Sequence, residues 1–242
     1  MNNLILNQWF DSSLAGGYLK KKELDFYRLS LQELQGETIV QVSMLTWPLL
    51  PLCNGKMLIL QDSNDKAAHV RMLPECSAWG RETIDVLIFP HILSCSETPD
   101  KVLAEAYYAL KPQGKLVLTE FNPHSLWGLA KAFDGERLPE KQYCLALPDL
   151  KKKAMALGFS VERGRFMGYA PFIKQGQSNI EKWAFMEAAG NRWWPHAAAA
   201  YGLVLVKQVV RMMPLLKAEQ VEEPNGMVLG IARANTAKTQ EL

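Results

Sequence analysis

The side chains that could do chemistry stand at the ends of apolar runs in the sequence. Three polar residues follow such runs: Asp62, His91 and Asn122. An imidazole titrates near neutral pH, so His91 is either a general base or a hydrogen-bonded wall residue. Asp62 opens an Asp-Ser-Asn-Asp stretch and Asn122 precedes Pro123, and both compositions are also typical of plain turns. Strand ends are where open α/β sheets bind ligands, so these positions are candidate site residues.

Metal chemistry has little support in the sequence. The four cysteines stand at positions 53, 76, 95 and 144 without a CxxC pair, and no two of the four histidines have ligand spacing. The sequence therefore predicts no metal site. Such cysteine usage, with no signal-peptide pattern at the N-terminus, predicts a cytoplasmic protein. The longest apolar run, Ala197–Val206, spans 10 residues, whereas a membrane-spanning helix needs about 20.

The composition is that of an ordinary globular chain. It has 242 residues, of which 48% are hydrophobic and 21% charged, which suits one large domain, alone or with a small cap. The net charge of +2 is too weak to predict a nucleic-acid partner. The basic runs Lys20–Lys22 and Lys151–Lys153 are expected to be solvated helix faces, unless both lie on one side of the molecule.

Strands and helices alternate along the chain. Residues 9–35 have a helical period, with an expected interruption at Gly16-Gly17. After the short β-branched run Thr38–Val42, near-continuous apolar runs predict parallel strands that are covered on both faces: Gly55–Leu60, Asp85–Phe89 and Gly114–Thr119. Later elements are predicted at Thr98–Leu110 and Leu150–Leu157, as helices, and at Phe159–Arg163 and Ala200–Lys207, as strands. This alternation predicts an α/β fold with a doubly wound sheet.

The same elements divide the chain into three parts. We expect an N-terminal helical cap over residues 1–36 and an α/β domain over residues 37–213. The chain turns polar after Pro214 and has no clear period there. Residues 214–242 are therefore predicted to form a mobile C-terminal tail.

Residues 84–129 carry a distinctive pattern. It consists of an acidic residue, Asp85, in an apolar strand, then His91-Ile92-Leu93, a helix, and Leu-Lys-Pro-Gln-Gly-Lys-Leu-Val over residues 110–117. This pattern resembles the C-terminal half of the class I S-adenosylmethionine-dependent methyltransferase fold. Residues 121–129, Phe-Asn-Pro-His-Ser-Leu-Trp-Gly-Leu, are similar to a bacterial methyltransferase-like family with F-N-P-x-S-x-x-G-L after strand 5. Two further stretches fit that family: Gln8-Trp9-Phe10 and Arg192-Trp193-Trp194-Pro195.

The resemblance implies a fold, a cofactor and a set of contacts. The fold would be a Rossmann-like sheet of seven strands with the last one antiparallel, and S-adenosylmethionine would lie across the carboxyl ends of the first strands. Asp62 would then bind the ribose hydroxyls. The full set of implied cofactor contacts is Gln41, Ser43, Asp62, Leu73, Phe89 and His91. The implied substrate contacts are Asn122, His124 and Trp127.

The first strand departs from the family pattern. Typical members have an acidic residue and a Gly-x-Gly turn there, which lets the backbone approach the methionine part of the cofactor. This chain has no glycine between Gly36 and Gly55, so strand 1 is degenerate. Met44, Leu45 and Trp47 would fill the space of the cofactor, although Trp47 could instead stack on adenine. The acidic residue expected after strand 3 is also missing, and His69 or Arg71 stands near its place.

Two classes of function therefore stay open. In the first, the protein is a methyltransferase that transfers a methyl group to a small molecule by direct displacement, so that orientation supplies the rate; its catalytic residues are not identified. In the second, it is a pseudoenzyme that has kept the fold, lost the cofactor loop and serves as a binding or regulatory partner of another protein. An RNA methyltransferase has only the two lysine runs in its support.

Overall fold

The computed structural model describes residues 3–63, 65–76, 78–125, 144–169, 190, 193, 195–208, 221–222 and 228–229. The chain divides into two compact units, Met1–Val209 and Val210–Leu242. The described part of the second unit is one antiparallel pair of short strands, Val221–Glu222 and Val228–Leu229. The domain boundaries expected at residues 36 and 213 stay predictions.

Two helices open the first unit, α1 (Asn3–Ser12) and α2 (Leu14–Gln32). The chain breaks between them at Ser13, whose side chain caps α2 by accepting a hydrogen bond of 2.8 Å from the Gly16 amide. The expected interruption at Gly16-Gly17 is therefore wrong, because Ser13 supplies a cap. Gly16 has a different role. A Cβ there would overlap the Trp9 carbonyl oxygen and lie 2.8 Å from Phe10 Cα, so its missing side chain lets α1 cross α2 closely.

A six-stranded sheet forms the centre of this unit. Its strands are β1 (Gln35–Val42), β2 (Asn54–Gln61), β3 (Ile84–Pro90), β4 (Leu110–Phe121), β5 (Phe159–Met167) and β6 (Ala200–Lys207). The spatial order is β2-β1-β3-β4-β6-β5, with β1 to β4 parallel and β6 antiparallel to both of its neighbours. The predicted α/β fold with a Rossmann-like sheet is confirmed. The apolar runs became its central strands because both faces of the sheet are covered.

The predicted number of seven strands is wrong for the described residues. Between β2 and β3 the sheet continues only as an isolated bridge, Gln61 to Val70. The His69 imidazole, rather than a backbone carbonyl, accepts the Leu60 amide hydrogen at 3.0 Å. Pro74 follows shortly and has no amide hydrogen to give. The His69 side chain and Pro74 thus stand where a further strand would form a regular ladder of backbone hydrogen bonds beside β2.

Helices cover the two faces of the sheet. The helix α2 packs on one face, against alternate residues of β1, β3 and β4. On the other face lie α4 (Pro99–Ala109) and α5 (Leu147–Leu157). As predicted, Pro99 takes the first position of α4, and Gly158 ends α5 with φ +103°. A single turn, α3 (Ile92–Cys95), follows β3. No helix of the described residues is long and apolar enough to span a membrane.

Candidate functional site

The carboxyl edge of the parallel strands gathers four of the predicted site residues. Ser43 follows β1, Asp62 follows β2, His91 follows β3 and Asn122 follows β4. All four side chains are buried, Asp62 and Asn122 with 8% exposure and the other two with 1% or less. This edge is where an open parallel sheet binds its ligands, so it is the candidate site.

The segment after β1, residues 43–53, is folded upon itself. The Gln41 amide nitrogen donates to the Trp47 carbonyl at 2.8 Å, and its amide oxygen accepts from the Leu49 amide at 3.3 Å. The Ser43 hydroxyl donates to the Leu45 carbonyl at 2.5 Å and accepts from the Leu45 amide at 3.1 Å. Both predicted cofactor contacts from β1 therefore hold the backbone of this post-β1 segment.

Helix α1 covers the post-β1 segment. The Asn7 amide nitrogen donates to the Met44 carbonyl at 3.0 Å, and the Asn7 amide oxygen accepts from the Thr46 amide at 2.9 Å. Leu45 and Trp47 are buried beneath the helix, at 2% and 3% exposure. Of the three apolar side chains expected to fill the space of the cofactor, Leu45 and Trp47 are thus in the core, and Met44 is half-buried against it.

Aromatic rings meet at the ends of β1, β3 and β4. We call Trp9, Phe10, Trp47, His91 and Phe121 the aromatic cluster. The Phe10 ring lies at its centre, with centroid distances of 4.8 Å to Trp47, 4.9 Å to Trp9, 5.4 Å to His91 and 6.0 Å to Phe121. His91 and Phe121 are 4.1 Å apart. These separations are those of packed rings.

His91 is paired with an acidic residue that sequence reasoning missed. Its Nε2 lies 2.8 Å from Oε2 of Glu23 in α2, and both side chains are completely buried. Burial lowers the pKa of His91, but the Glu23 carboxylate outweighs it, so the pKa is raised above its ordinary value. The signal for Glu23 is its spacing, since Leu19, Glu23 and Tyr27 recur every four residues on the apolar side of α2.

Glu120, near the end of β4, is a second buried acid that was not among the predicted site residues. It accepts hydrogen bonds from the Leu93 amide at 2.8 Å and the Ser94 amide at 3.1 Å, and it contacts the Ser94 hydroxyl. Burial raises the pKa of Glu120 to about 7, against the opposing effects of His91 and of these donors. An acidic residue inside the apolar run of β4 is the sequence signal for it.

The remaining predicted cofactor contacts do not converge on the aromatic cluster. Asp62 accepts a hydrogen bond of 3.1 Å from the Asp65 amide, which is the geometry of a turn. Leu73 is 53% exposed. Phe89 belongs to the core on the opposite face of the sheet, and its carbonyl accepts from the Tyr27 hydroxyl at 3.2 Å.

The predicted substrate contacts are placed in three different ways. The Asn122 amide nitrogen donates to the carbonyls of His196 and Ala198, at 2.7 and 2.9 Å, and its oxygen accepts from the His124 amide at 3.1 Å. Asn122 thus ties the end of β4 to the chain before β6. The His124 side chain is exposed. Trp127 lies outside the described residues.

Asp85, the acidic residue of the strand-4 pattern, lies at the other edge of the sheet. It accepts from the Thr38 amide and the Lys111 ammonium, each at 2.9 Å, and so ties β1, β3 and β4 together. Burial raises its pKa, but Lys111 and the amide donors outweigh that effect and lower it. A polar cleft of about 330 Å³ lies at this amino edge, lined in part by Glu33, Gln113 and Lys115.

The residues present do not fit S-adenosylmethionine in this conformation. In the methyltransferases that this chain resembles, the segment after the first strand leaves space for the methionine end of the cofactor and offers it backbone donors. In this chain Leu45 and Trp47 fill that room, and the side chains of Gln41 and Ser43 already hydrogen-bond within the chain. The described residues also contain no group of three or more His, Cys, Asp or Glu side chains that could hold a metal ion.

Comparisons with known proteins give a fold. No protein-family model matches the chain, and no curated protein matches it. Many solved structures do match. A possible histamine N-methyltransferase of Thermotoga maritima, described as S-adenosylmethionine-dependent, is 14% identical with a TM-score of 0.59, over 85% of this chain and 98% of its own. A putative methyltransferase of Haloferax volcanii, solved in complex with the Trm112 activator, is 13% identical with a TM-score of 0.55, over 84% and 98%.

A third similar structure is named for a different activity. The [4+2]-cyclase SpnF is 16% identical to this chain with a TM-score of 0.53, over 78% of this chain and 80% of its own. At such identities the likeness concerns the fold alone. The sheet order, the antiparallel β6 and these matches lead to one conclusion: the chain has the class I fold of the S-adenosylmethionine-dependent methyltransferases.

Proposed function

We propose that the chain is a methyltransferase-fold binding protein that has lost the cofactor site. The observation that carries the proposal is the Gln41 side chain, which holds the post-β1 segment closed through the Trp47 carbonyl and the Leu49 amide. A cofactor entering at this place would have to break both hydrogen bonds and expose Leu45 and Trp47. Exposing such buried side chains costs about 1.5–3 kcal/mol each.

The fold itself does not demand methyl transfer, because function depends on the site rather than on the fold. SpnF, which has a similar fold, is described as a cyclase, and the methyltransferase of Haloferax volcanii is bound to an activator protein. A binding or regulatory role, with a protein or a small molecule as partner, is compatible with both precedents. No disulfide joins Cys53, Cys76, Cys95 or Cys144 in the described part of the chain, which supports our proposal that the protein acts in the cytoplasm.

A second candidate is methyl transfer from S-adenosylmethionine to a small molecule by direct displacement. It is favoured by Asp62, a buried carboxylate at the end of β2. At this position the methyltransferases that the chain resembles have the acidic residue that binds the ribose hydroxyls. Orientation of the two reactants would then supply the rate. Asn122, His124 and Trp127 would stand on the substrate side.

Calorimetric titration with S-adenosylmethionine and S-adenosylhomocysteine distinguishes the two candidates. The binding-protein proposal expects no heat of binding up to millimolar ligand. A Kd near 1 μM, which corresponds to about −8 kcal/mol, would overturn it and support the enzyme.

Two variants make this titration specific. If a cofactor binds through its ribose, Asp62→Ala weakens the affinity at least tenfold. Asp65→Ala changes the other carboxylate of the same turn, which accepts the Ala67 amide, and serves as the matched control. Equal effects of both variants would assign Asp62 to the turn rather than to a ligand.

A further inference from the structure

Four buried polar atoms at the carboxyl edge have no hydrogen-bond partner within the described chain. They are Nε1 of Trp9, Oε1 of Glu23, Nε1 of Trp47 and Nδ1 of His91. Buried polar groups in native proteins are nearly always paired, and each exception needs an explanation. Elsewhere in the described residues only one buried side-chain atom lacks a partner, the Ser30 hydroxyl. The carboxyl edge therefore holds an unusual concentration of them.

Three of the four atoms belong to rings that pack on one side chain. The Phe10 ring packs against Trp9, Trp47 and His91, and Glu23 joins the group through its contact with His91. The Phe10 side chain has no polar atom. It therefore fills the space between these rings but can pair with none of the buried polar groups. A ligand ring of the same size that carried hydroxyl groups could satisfy both.

The unpaired groups favour such a ligand by their chemistry. The Trp47 indole is a donor only, and the Glu23 oxygen, as a carboxylate, is an acceptor only. A hydroxyl group both accepts and donates, so it can pair with either kind. The surrounding rings of Trp47 and Phe121 offer stacked and edge-on contacts to a flat ring.

Phe10 is carried by an element that can leave without breaking the sheet. Helix α1 has 10 residues and is joined to α2 at Ser13, whose backbone is extended with φ −92° and ψ 146°. Asn7 is the residue of α1 whose side chain hydrogen-bonds to the post-β1 segment. Isolated helices of this length are marginal in water, so the packing of α1 on the edge is what holds it.

We propose that Phe10 occupies a binding site for a hydroxylated aromatic small molecule, which would displace the ring together with α1. The inference rests on the proposed binding function and names its ligand class. Trp47, His91 and Glu23 would supply the polar contacts and Phe121 a wall of the site, whereas Trp9 belongs to α1 and would leave with it. Because no cofactor enters the argument, its test is independent of the titration with S-adenosylmethionine.

The test uses catechol as the hydroxylated probe and toluene as its apolar counterpart. Protein with ¹⁵N-labelled tryptophan is titrated with each, and the indole N–H resonances of Trp9 and Trp47 are assigned with Trp9→Phe and Trp47→Phe. Catechol should move the Trp47 resonance downfield as its indole gains an acceptor, and should move the Trp9 resonance toward that of a solvent-exposed indole as α1 leaves. Phe10→Ala should bind catechol at least tenfold more tightly than the unmodified protein, since no ring has to leave.

The comparison with toluene excludes a simple cavity. An apolar cavity prefers an apolar ligand, so toluene binding Phe10→Ala as tightly as catechol would overturn the proposal, as would indole resonances that stay in place. Ile5→Ala, at an exposed site of the same helix, should leave the affinity for catechol within threefold. If Phe10→Ala does not fold, Phe10→Leu removes the ring while keeping apolar bulk, and the same outcomes apply.

Discussion

At the scale of single residues, the site is defined by buried ionisable groups. Glu23, His91 and Glu120 are all completely buried near the ends of β3 and β4, where an unpaired charge would be very costly. The pairing of His91 with Glu23 and the amide donors around Glu120 offset that cost. Protons held by this group link the stability of the protein to pH.

The protein should lose stability as the pH rises from about 5 to 8. The pKa of Glu120 is raised from 4.5 to about 7 and that of His91 is raised above 6.5, so the folded state binds more protons than the unfolded state in this range. Their stabilising contributions are complete below the unfolded pKa of each group and are lost as the pH passes the folded pKa. For Glu120 the loss is on the order of 3 kcal/mol.

Urea unfolding at several pH values measures this effect. Glu120→Gln cannot titrate, so its unfolding free energy should fall less steeply with pH than that of the unmodified protein. Glu97→Gln, at an exposed carboxyl, should leave the slope unchanged. Identical slopes for Glu120→Gln and the unmodified protein would show that Glu120 does not hold the proton.

Asn122 should matter for stability and its neighbour His124 should not. Asn122→Ala leaves the carbonyls of His196 and Ala198 without their donor, which should cost about 1–3 kcal/mol for each group that stays buried. His124→Ala removes an exposed side chain of the same loop and should change stability by less than about 0.5 kcal/mol. Thermal unfolding of both variants makes the comparison. A small effect of Asn122→Ala would mean that water replaces the lost donor.

The candidate site could be predicted from the sequence only where local order determines it. His91 and Asn122 are predictable because they stand just beyond apolar runs, and parallel strands bring such positions to one edge. Glu23 is not, because its partner His91 is 68 residues away and its own helix carries ordinary surface charges nearby. Tertiary contacts decide which ionisable side chains become buried, and the local spacing of residues contains little information about those contacts.

At the scale of elements, the crossing of α1 over α2 depends on Gly16. The crossing puts the Phe10 ring beside Trp47 and His91, which follow β1 and β3, and at Gly16 the two helices leave no room for a side chain. The strands that α1 covers were predictable, since buried parallel strands are continuous apolar runs. The break at Ser13 was less so, because a serine cap and a glycine pair are both plausible signals and only packing decides between them.

Gly16→Ala should therefore loosen α1, and Gly17→Ala should not. The new methyl group at position 16 would collide with the backbone of Trp9 and Phe10, whereas at position 17 the nearest atom is 4.0 Å away. Alanine is the better helix former by about 1 kcal/mol, so Gly17→Ala should be neutral or stabilising. Limited proteolysis within residues 3–12 and melting temperature are the measurements. Equal behaviour of the two variants would contradict the close crossing.

At the scale of the whole molecule, the sheet is unequally supported. The strands β3 and β4 each have two neighbours, and β3 and the second half of β4 are buried. By contrast, β2 pairs with β1 and beyond it only through the bridge at Val70. Seven strands are predicted only from the resemblance, because the methyltransferase fold has seven. Side-chain pairing by His69, which no local pattern shows, replaces the missing ladder.

Hydrogen exchange should follow this inequality. Amides of β3 and β4 should exchange most slowly, near the rate of global unfolding, and those of β2 at least tenfold faster through local opening of the edge. Exchange measured by NMR on the native protein gives the ranking directly. Protection of β2 equal to that of β3 would mean that its open side is covered.

Helix α2 contacts residues that are far away in the sequence, and this has a consequence during synthesis of the chain. The Tyr27 hydroxyl pairs with residues 62 and 92 positions further along, at Phe89 and Thr119. A ribosome adds roughly 5–20 residues per second, so the apolar side of α2 waits for several seconds, in contact with water or a chaperone, before its partners have been synthesised. Once they have emerged, closing such distant loops slows folding. Helices α1 and α2 are thus among the last elements to pack, although they are synthesised before the strands that they cover.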